Sequence, residues 1–446
     1  MMVLSEAARL LNGELKGRDA EFTAVTQDTR KLVPGALYVA LKGARFDGHA
    51  FIPQALAAKA AGALVSEYHA CDLPQVRVRD THAALGQLAA QWRNRFAVPV
   101  IGVTGSNGKT SVKNMLASIM SEIGPGLVTQ GNLNNDIGVP LTLLRQRASD
   151  RYAVIEMGMN HLGEIDYLTR LARPTVALIT NAAAAHLEGL GTVANVAKAK
   201  GEIFSGLAVD GAAIINADDE YADYWRGLVG ARRMVRFGLE REAEVRARYR
   251  LQPDGSDIEL LTPAGEIAMR LPLLGKHNVM NALAASAAAL EAGATLTQVK
   301  SGLEKLKSTA GRLEIKRGLK GARVLDDTYN ANPASIAAGI EVLRGAGGRT
   351  VLVMGDMAEL GDAALDIHRR VGELARRVGV ERLYAVGPMS AAAVDAFGGG
   401  ALHFNDHAAL AEALRAELAP QTTVLVKGSR VMQMERVVAA ITEEAR

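Results

Sequence analysis

Short unbroken apolar runs recur along this chain, and stretches of helical spacing separate them. Runs at 99–104, 152–157, 175–181 and 212–216 predict strands of a parallel sheet covered on both faces by helices. Over 246–273 the pattern changes to alternating polar and apolar positions with Asp-Gly and Ala-Gly turns, which predicts an antiparallel patch. An alanine-rich helix is expected over 278–292. Beyond Gly311-Arg312, strands at 322–326, 350–354, 382–386 and 423–426 alternate with helices at 334–343, 368–378, 408–418 and 434–442. Ahead of the first parallel run, Ser5 is expected to cap a helix reaching Leu11. A strand at 36–41, a helix at 50–61, a strand at 62–66 and a connecting helix at 81–96 follow. The expectation is an α/β protein of three domains: a small N-terminal α/β domain at 1–80, a central parallel-sheet domain at 81–309 and a C-terminal Rossmann-like domain at 310–446. Reactants are expected in the cleft between the two larger units.

The chain of 446 residues exceeds what one core supports, in keeping with several domains. Its formal net charge of +3 includes no Lys/Arg block, so nucleic acid is not an expected partner. Cys71 is the single cysteine and can form no intrachain disulfide. The N-terminal segment has no basic-then-apolar leader pattern, and no apolar run reaches the ~18 residues of a membrane span. A monomeric cytoplasmic enzyme is the expectation.

The most specific chemistry lies at 100–111. An apolar run ends in Thr104-Gly105-Ser106-Asn107-Gly108-Lys109-Thr110-Ser111 and opens into a helical pattern. Such a loop binds a triphosphate: backbone N–H groups face the anion, the helix dipole adds to them and Lys109 neutralises charge. Thr110 is placed to offer its hydroxyl to Mg²⁺. A plain glycine-rich turn would leave Lys-Thr-Ser without a purpose.

Further along, Glu156 ends an apolar strand, where a carboxylate suits a hard cation; a solvated strand-end glutamate is the bland alternative. His186 follows another strand and reads equally as metal ligand or loop histidine. Lys200 reads on its own as an exposed helix lysine. His277, Asn278 and Asn281 open a helix, with Asn278 explained by capping and Asn281 needing another purpose. Asp327 at a strand end either holds a ribose hydroxyl or caps the turn. Gly355-Asp-Met-Ala-Glu-Leu-Gly361 and Lys427-Gly-Ser-Arg430 end two further strands of the same sheet.

Taken in order, the loop, the Glu156-Met-Gly strand end, the Thr180-Asn-x-x-x-x-His186-Leu step, Gly275-Lys-His-Asn-Val-Met-Asn281 and Gly311-Arg-Leu-Glu314 resemble the Mur ligases, the ATP-dependent amide-forming enzymes of peptidoglycan precursor synthesis. The likeness runs over essentially the whole chain. Segments 129–144, 327–333 and 355–361 are most like the member acting on UDP-N-acetylmuramoyl-tripeptide and D-alanyl-D-alanine, which the resemblance implies as partners. It also implies ATP bound by residues 105–111, Asn281, Arg312 and Asp327. Two Mg²⁺ ions would be served by Thr110, Glu156, His186 and a carbamylated Lys200. Lys109, Lys200, His186 and Arg312 would be catalytic. Asp28, Thr29, Arg30, Gly48 and His49 would face the uridine diphosphate end, while Asn330, Asn332 and Ser429 stand, by position, as candidates for the dipeptide pocket. Other readings are a folylpolyglutamate-synthetase-like ligase, which would lack Asp28-Thr-Arg30 and Tyr329-Asn-Ala-Asn-Pro333, or a P-loop kinase or nucleotide-switched binding protein.

Overall fold

A computed structural model describes residues 1–43 and 46–443. Its central sheet is parallel throughout, with strands in the order Arg233–Phe237, Ala212–Asn216, Val176–Ile179, Val100–Thr104, Ala153–Glu156 and Leu127–Val128. Every residue of the four inner strands is buried, which is why their sequences read as continuous apolar runs rather than alternating ones. Val100–Thr104 lies between two strands that come later in the chain. Its carboxyl end is therefore a topological switch point, where α/β sheets open a crevice.

The antiparallel patch comprises Arg246–Gln252, Gly255–Thr262 and Gly265–Leu271. The alanine-rich helix spans Lys276–Glu291; its alanines are buried all round, so it forms an inner wall and not an amphipathic cover. It packs on the helix Lys109–Ser121 that follows the glycine loop.

The C-terminal sheet has the order Glu314–Arg317, Arg323–Asp327, Thr422–Lys427, Arg349–Gly355, Arg382–Val386 and Ala401–Phe404, antiparallel only at the first pair. A five-stranded sheet near the N-terminus joins Glu14–Lys16, Gln75–Arg77, Gly62–Val65, Ala36–Val39 and Ala24–Thr26, with the first pair antiparallel. Among the described residues no helix is long and apolar enough to cross a membrane.

Several expectations need correction. Ser5 does not cap: the first helix begins at Leu4, and the Ser5 hydroxyl and N–H both bond the Asp19 carboxylate. The predicted helix at 50–61 is a 3₁₀ turn, Gly48–Phe51, leading into Ile52–Ala57. Asn278 is not the cap of its helix. That position is Gly275, and Asn278 Nδ2 instead donates to Leu274 O.

Candidate active site

The glycine loop is pinned from the neighbouring strand end. Asn107 N–H donates to Asn181 Oδ1 at 2.9 Å, Asn181 Nδ2 returns to Asn107 O at 3.1 Å, and Thr180 Oγ1 donates to the same carbonyl at 2.6 Å. Ser106 Oγ is bracketed by Ala183, donating to its carbonyl and accepting from its N–H. The loop can lie this close because two positions carry no side chain. A Cβ on Gly105 would overlap the Thr180 hydroxyl, and one on Gly108 would overlap Asn281 Oδ1. Both glycines also have positive φ, 150° and 82°. The purpose of Asn281 is thus to wall the loop, braced by its Nδ2 donating to Asn278 Oδ1.

The helix Lys109–Ser121 starts at Gly108 with no side-chain cap, so its first N–H groups are open toward the cavity. Lys109 Nζ folds back onto Gly105 O at 2.6 Å. Burial holds its ammonium below the usual lysine range; nearby Glu156 opposes that shift and Arg312 adds to it. Thr110 Oγ1 stands 3.4 Å from Glu156 Oε1 and accepts from Arg312 at 3.4 Å. Arg312 also lies over the Tyr329 ring, 4.3 Å from its centre.

Glu156 is almost fully buried. Oε1 accepts from Asn134 Nδ2 at 2.9 Å, while Oε2 has no hydrogen bond and its charged neighbour is Lys113 Nζ at 3.5 Å. A carboxylate oxygen that makes no hydrogen bond, beside a threonine hydroxyl, fits a Mg²⁺ ion that keeps most of its ligands from phosphate and water. Among the described residues, no three His, Cys, Asp or Glu side chains gather as a self-sufficient metal cage.

Lys200, expected on its own as exposed, is buried in the helix Val193–Gly201. Burial, and then the charge of Lys109, push its ammonium well below the usual range. His186 meets Glu359 of the C-terminal unit, Nδ1 to Oε2 at 2.8 Å, rather than Glu156 or Thr110.

Asp327 does not cap the turn; Asp326 does, through Thr328 N–H and Oγ1. Asp327 Oδ2 is paired with the buried Lys427 Nζ at 2.6 Å, and Lys427 also donates to Asn330 O. Asn332 caps the helix Pro333–Arg344 and reaches Asn107 Oδ1. Ser429 is largely buried at the cavity wall, its hydroxyl donating to Asp356 O. Asn330 Oδ1 accepts from Ala331 N–H.

Most of these residues, Ser429 included, converge on one cavity of about 1450 Å³ between the central and C-terminal sheets, whereas Lys200, Lys113 and Thr180 are not part of its lining. Residues 106–111, Glu156, His186, Asn281, Arg312, Asp327, Asn330 and Asn332 line it. Asp28, Thr29, Arg30, Gly48 and His49 do not. Asp28 caps the turn Thr29–Lys31 and clamps Arg30, while His49 lies between Asp47 and the Ser66 N–H. Thr180, Asn181, Asn134, Lys113 and Glu359 are not singled out individually by the sequence, although Asn134 and Glu359 lie in the segments 129–144 and 355–361. Thr180 and Asn181 stand in a motif, but only the pairing of adjacent parallel strands brings them to the loop.

Three family models match in chain order: "Mur ligase family, catalytic domain" over residues 21–93, "Mur ligase middle domain" over 103–289 and "Mur ligase, glutamate ligase domain" over 311–430. The chain is 48% identical over 446 residues to the UDP-N-acetylmuramoyl-tripeptide–D-alanyl-D-alanine ligase of Escherichia coli (strain K12), covering 99% of this chain and 98% of that one. It superposes on the crystal structure of MurF from Acinetobacter baumannii with a TM-score of 0.92 at 36% identity, covering 98% of this chain and 97% of that one. MurF ligase from Thermotoga maritima, solved in complex with ADP, gives a TM-score of 0.85 at 27% identity, covering 94% and 96%. Matched in sequence along its whole length and in the pinned loop that builds its cavity, the chain belongs to the Mur ligase family.

Proposed function

We propose that this protein is an ATP-dependent amide ligase joining D-alanyl-D-alanine to UDP-N-acetylmuramoyl-tripeptide, with ADP and phosphate as the other products. The observation that carries the reading is the pinned loop 105–111 beside the Glu156 carboxylate, whose Oε2 makes no hydrogen bond, on a cavity of about 1450 Å³. A carboxylate resists attack because its charge repels nucleophiles and oxide is a poor leaving group. Transfer of the γ-phosphoryl group to it gives an acyl phosphate, from which the dipeptide amine displaces phosphate. Such transfer rests on positioning and charge rather than on a protein nucleophile. The open N–H groups of the loop helix bind the phosphates, and Lys109 turns from Gly105 O to the transferred group. Arg312, steadied by the Tyr329 ring, brings charge from the C-terminal unit. Asp327 and Asn281 complete the nucleotide's surroundings. Mg²⁺, held through Thr110 and Glu156, would supply charge neutralisation on the phosphates.

Lys200 is read as the site of carbamylation. Two buried ammonium groups near one another repel, whereas a carbamate turns one of them into an anion facing Lys109. Docking of the C-terminal unit screens the acyl phosphate from water. His186 is read as a ligand at the second ion. The residues at 28–30 and 48–49, outside the cavity lining, are read as holding the uridine diphosphate end of the long substrate. The three domains are read as 1–80, 81–309 and 310–446.

Phosphate release measured with UDP-N-acetylmuramoyl-tripeptide, with and without D-alanyl-D-alanine, tests this function. Release that requires both is expected; release indifferent to the dipeptide would exclude it.

A further inference from the structure

At one wall of the cavity two residues from different units meet, and each holds a backbone conformation that side-chain-bearing residues avoid. His186, with φ 56°, precedes the short helix Leu187–Leu190; Glu359, with φ 62°, lies in the loop after the strand Arg349–Gly355. Left-handed backbone costs about 1–2 kcal/mol at such a residue. It persists only where the surroundings enforce it.

The Glu359 loop is enforced from several directions. Asp356 O accepts from both the N–H and the hydroxyl of Ser429, and the Asp356 carboxylate accepts from Met389 N–H and Ser390 N–H. One residue on, Met357 N–H donates to the buried His368 Nε2 at 3.0 Å. The product of this bracing is a carboxylate oxygen 2.8 Å from His186 Nδ1, a close charge contact to a buried ring nitrogen that makes no hydrogen bond among the described residues. A half-exposed ion pair is worth only about 0–1 kcal/mol. That is less than the backbone cost at its two ends, so adhesion between the units does not account for the arrangement.

We propose that Glu359 is a positioning residue for His186: reaching across from the C-terminal unit, its carboxylate holds the Nδ1 edge of the ring and leaves Nε2 as the atom available to a divalent cation. A carboxylate behind a ligating imidazole fixes the ring's orientation and tautomer. Because Glu359 and His186 belong to different units, the ring is set only while those units are docked. The inference rests on the ligase reading of the cavity and adds to it a residue outside the nucleotide loop.

Mn²⁺ in place of Mg²⁺, bound with ADP alone, provides the test by pulsed electron paramagnetic resonance. The unaltered protein is expected to show nitrogen coupling from an imidazole, and His186→Ala to abolish it. Glu359→Ala is expected to weaken or abolish the coupling and to lower Mn²⁺ affinity about tenfold or more, with metal-free ADP affinity unchanged. Glu359→Asp should restore part of the coupling, and Glu359→Gln preserves side-chain volume should the alanine variant misfold. Undiminished coupling in folded Glu359→Ala and Glu359→Gln, or no imidazole coupling in the unaltered protein, would overturn the proposal. Neither amide substrate is present, so failure here is distinct from failure of the phosphate-release experiment.

Discussion

Asn332 Nδ2 donates to Asn107 Oδ1 at 2.7 Å, tying the cap of a C-terminal helix to the phosphate loop of the central sheet. The same side chain caps its helix: Oδ1 accepts from Ser335 N–H at 2.9 Å, and Ser335 Oγ accepts from Asn332 N–H. One residue thus serves local folding and the join between units. Substitutions separate the two. Asn332→Ala loses both and should destabilise the protein by about 0.5–2 kcal/mol. Asn332→Asp keeps the cap but has no donor for Asn107, so its Tm should stay near native while KM for ATP rises. A native KM in the aspartate variant would mean the tie is idle.

Gly108→Ala meets two obstacles at once. A left-handed alanine costs about 1–2 kcal/mol, and its methyl overlaps Asn281 Oδ1. ATP-dependent turnover should fall sharply. Adding Asn281→Gly should recover only part of it, because the overlap is relieved and the backbone strain is not. A double-mutant cycle on kcat/KM measures the split; equal losses with and without Asn281→Gly would show that the overlap is unimportant.

Lys200→Ala should lose turnover and regain some of it with added acetate, which can occupy the place of a carbamate. Rescue should saturate with acetate and be absent with chloride at the same ionic strength. Failure of any small carboxylate to rescue a folded variant would count against carbamylation.

His277 adds an acid sensitivity. Burial pushes its pKa down to about 4, nearby Asp327 opposing and Lys427 assisting. The unfolded chain, at the ordinary 6.5, binds the proton more readily between those values. Its contribution is therefore full above 6.5 and declines as pH falls toward 4. His277→Gln should narrow the loss of Tm between about pH 7 and about pH 5. An unchanged difference would mean that carboxylates alone set the acid limb.

Much of the fold is legible in the sequence because the inner strands of both large sheets are buried on both faces. Continuous runs such as Ala212–Asn216 and Arg382–Val386 carry their own signal. Edge strands do not: Leu127–Val128 is too short to show a period, and Glu314–Arg317 sets three charged residues around one exposed isoleucine. In the site, the loop and Glu156 are legible because local chain geometry dictates their chemistry. Asn181, Lys113 and Glu359 are not, since each acts across a strand pairing or a gap between units. Lys200 is the sharpest example. Its helix pattern reads as solvent-facing, and only the packed structure shows an ammonium buried near another.

Cations crowd the cavity. Lys109 raises the cost of charging Lys200, and Arg312 does the same for Lys109 and Lys427. A polyanion settling among them would relieve this mutual repulsion while it binds. A bound nucleotide would in that sense serve as a structural part, and heat tolerance should climb with ATP concentration well before any amide is made.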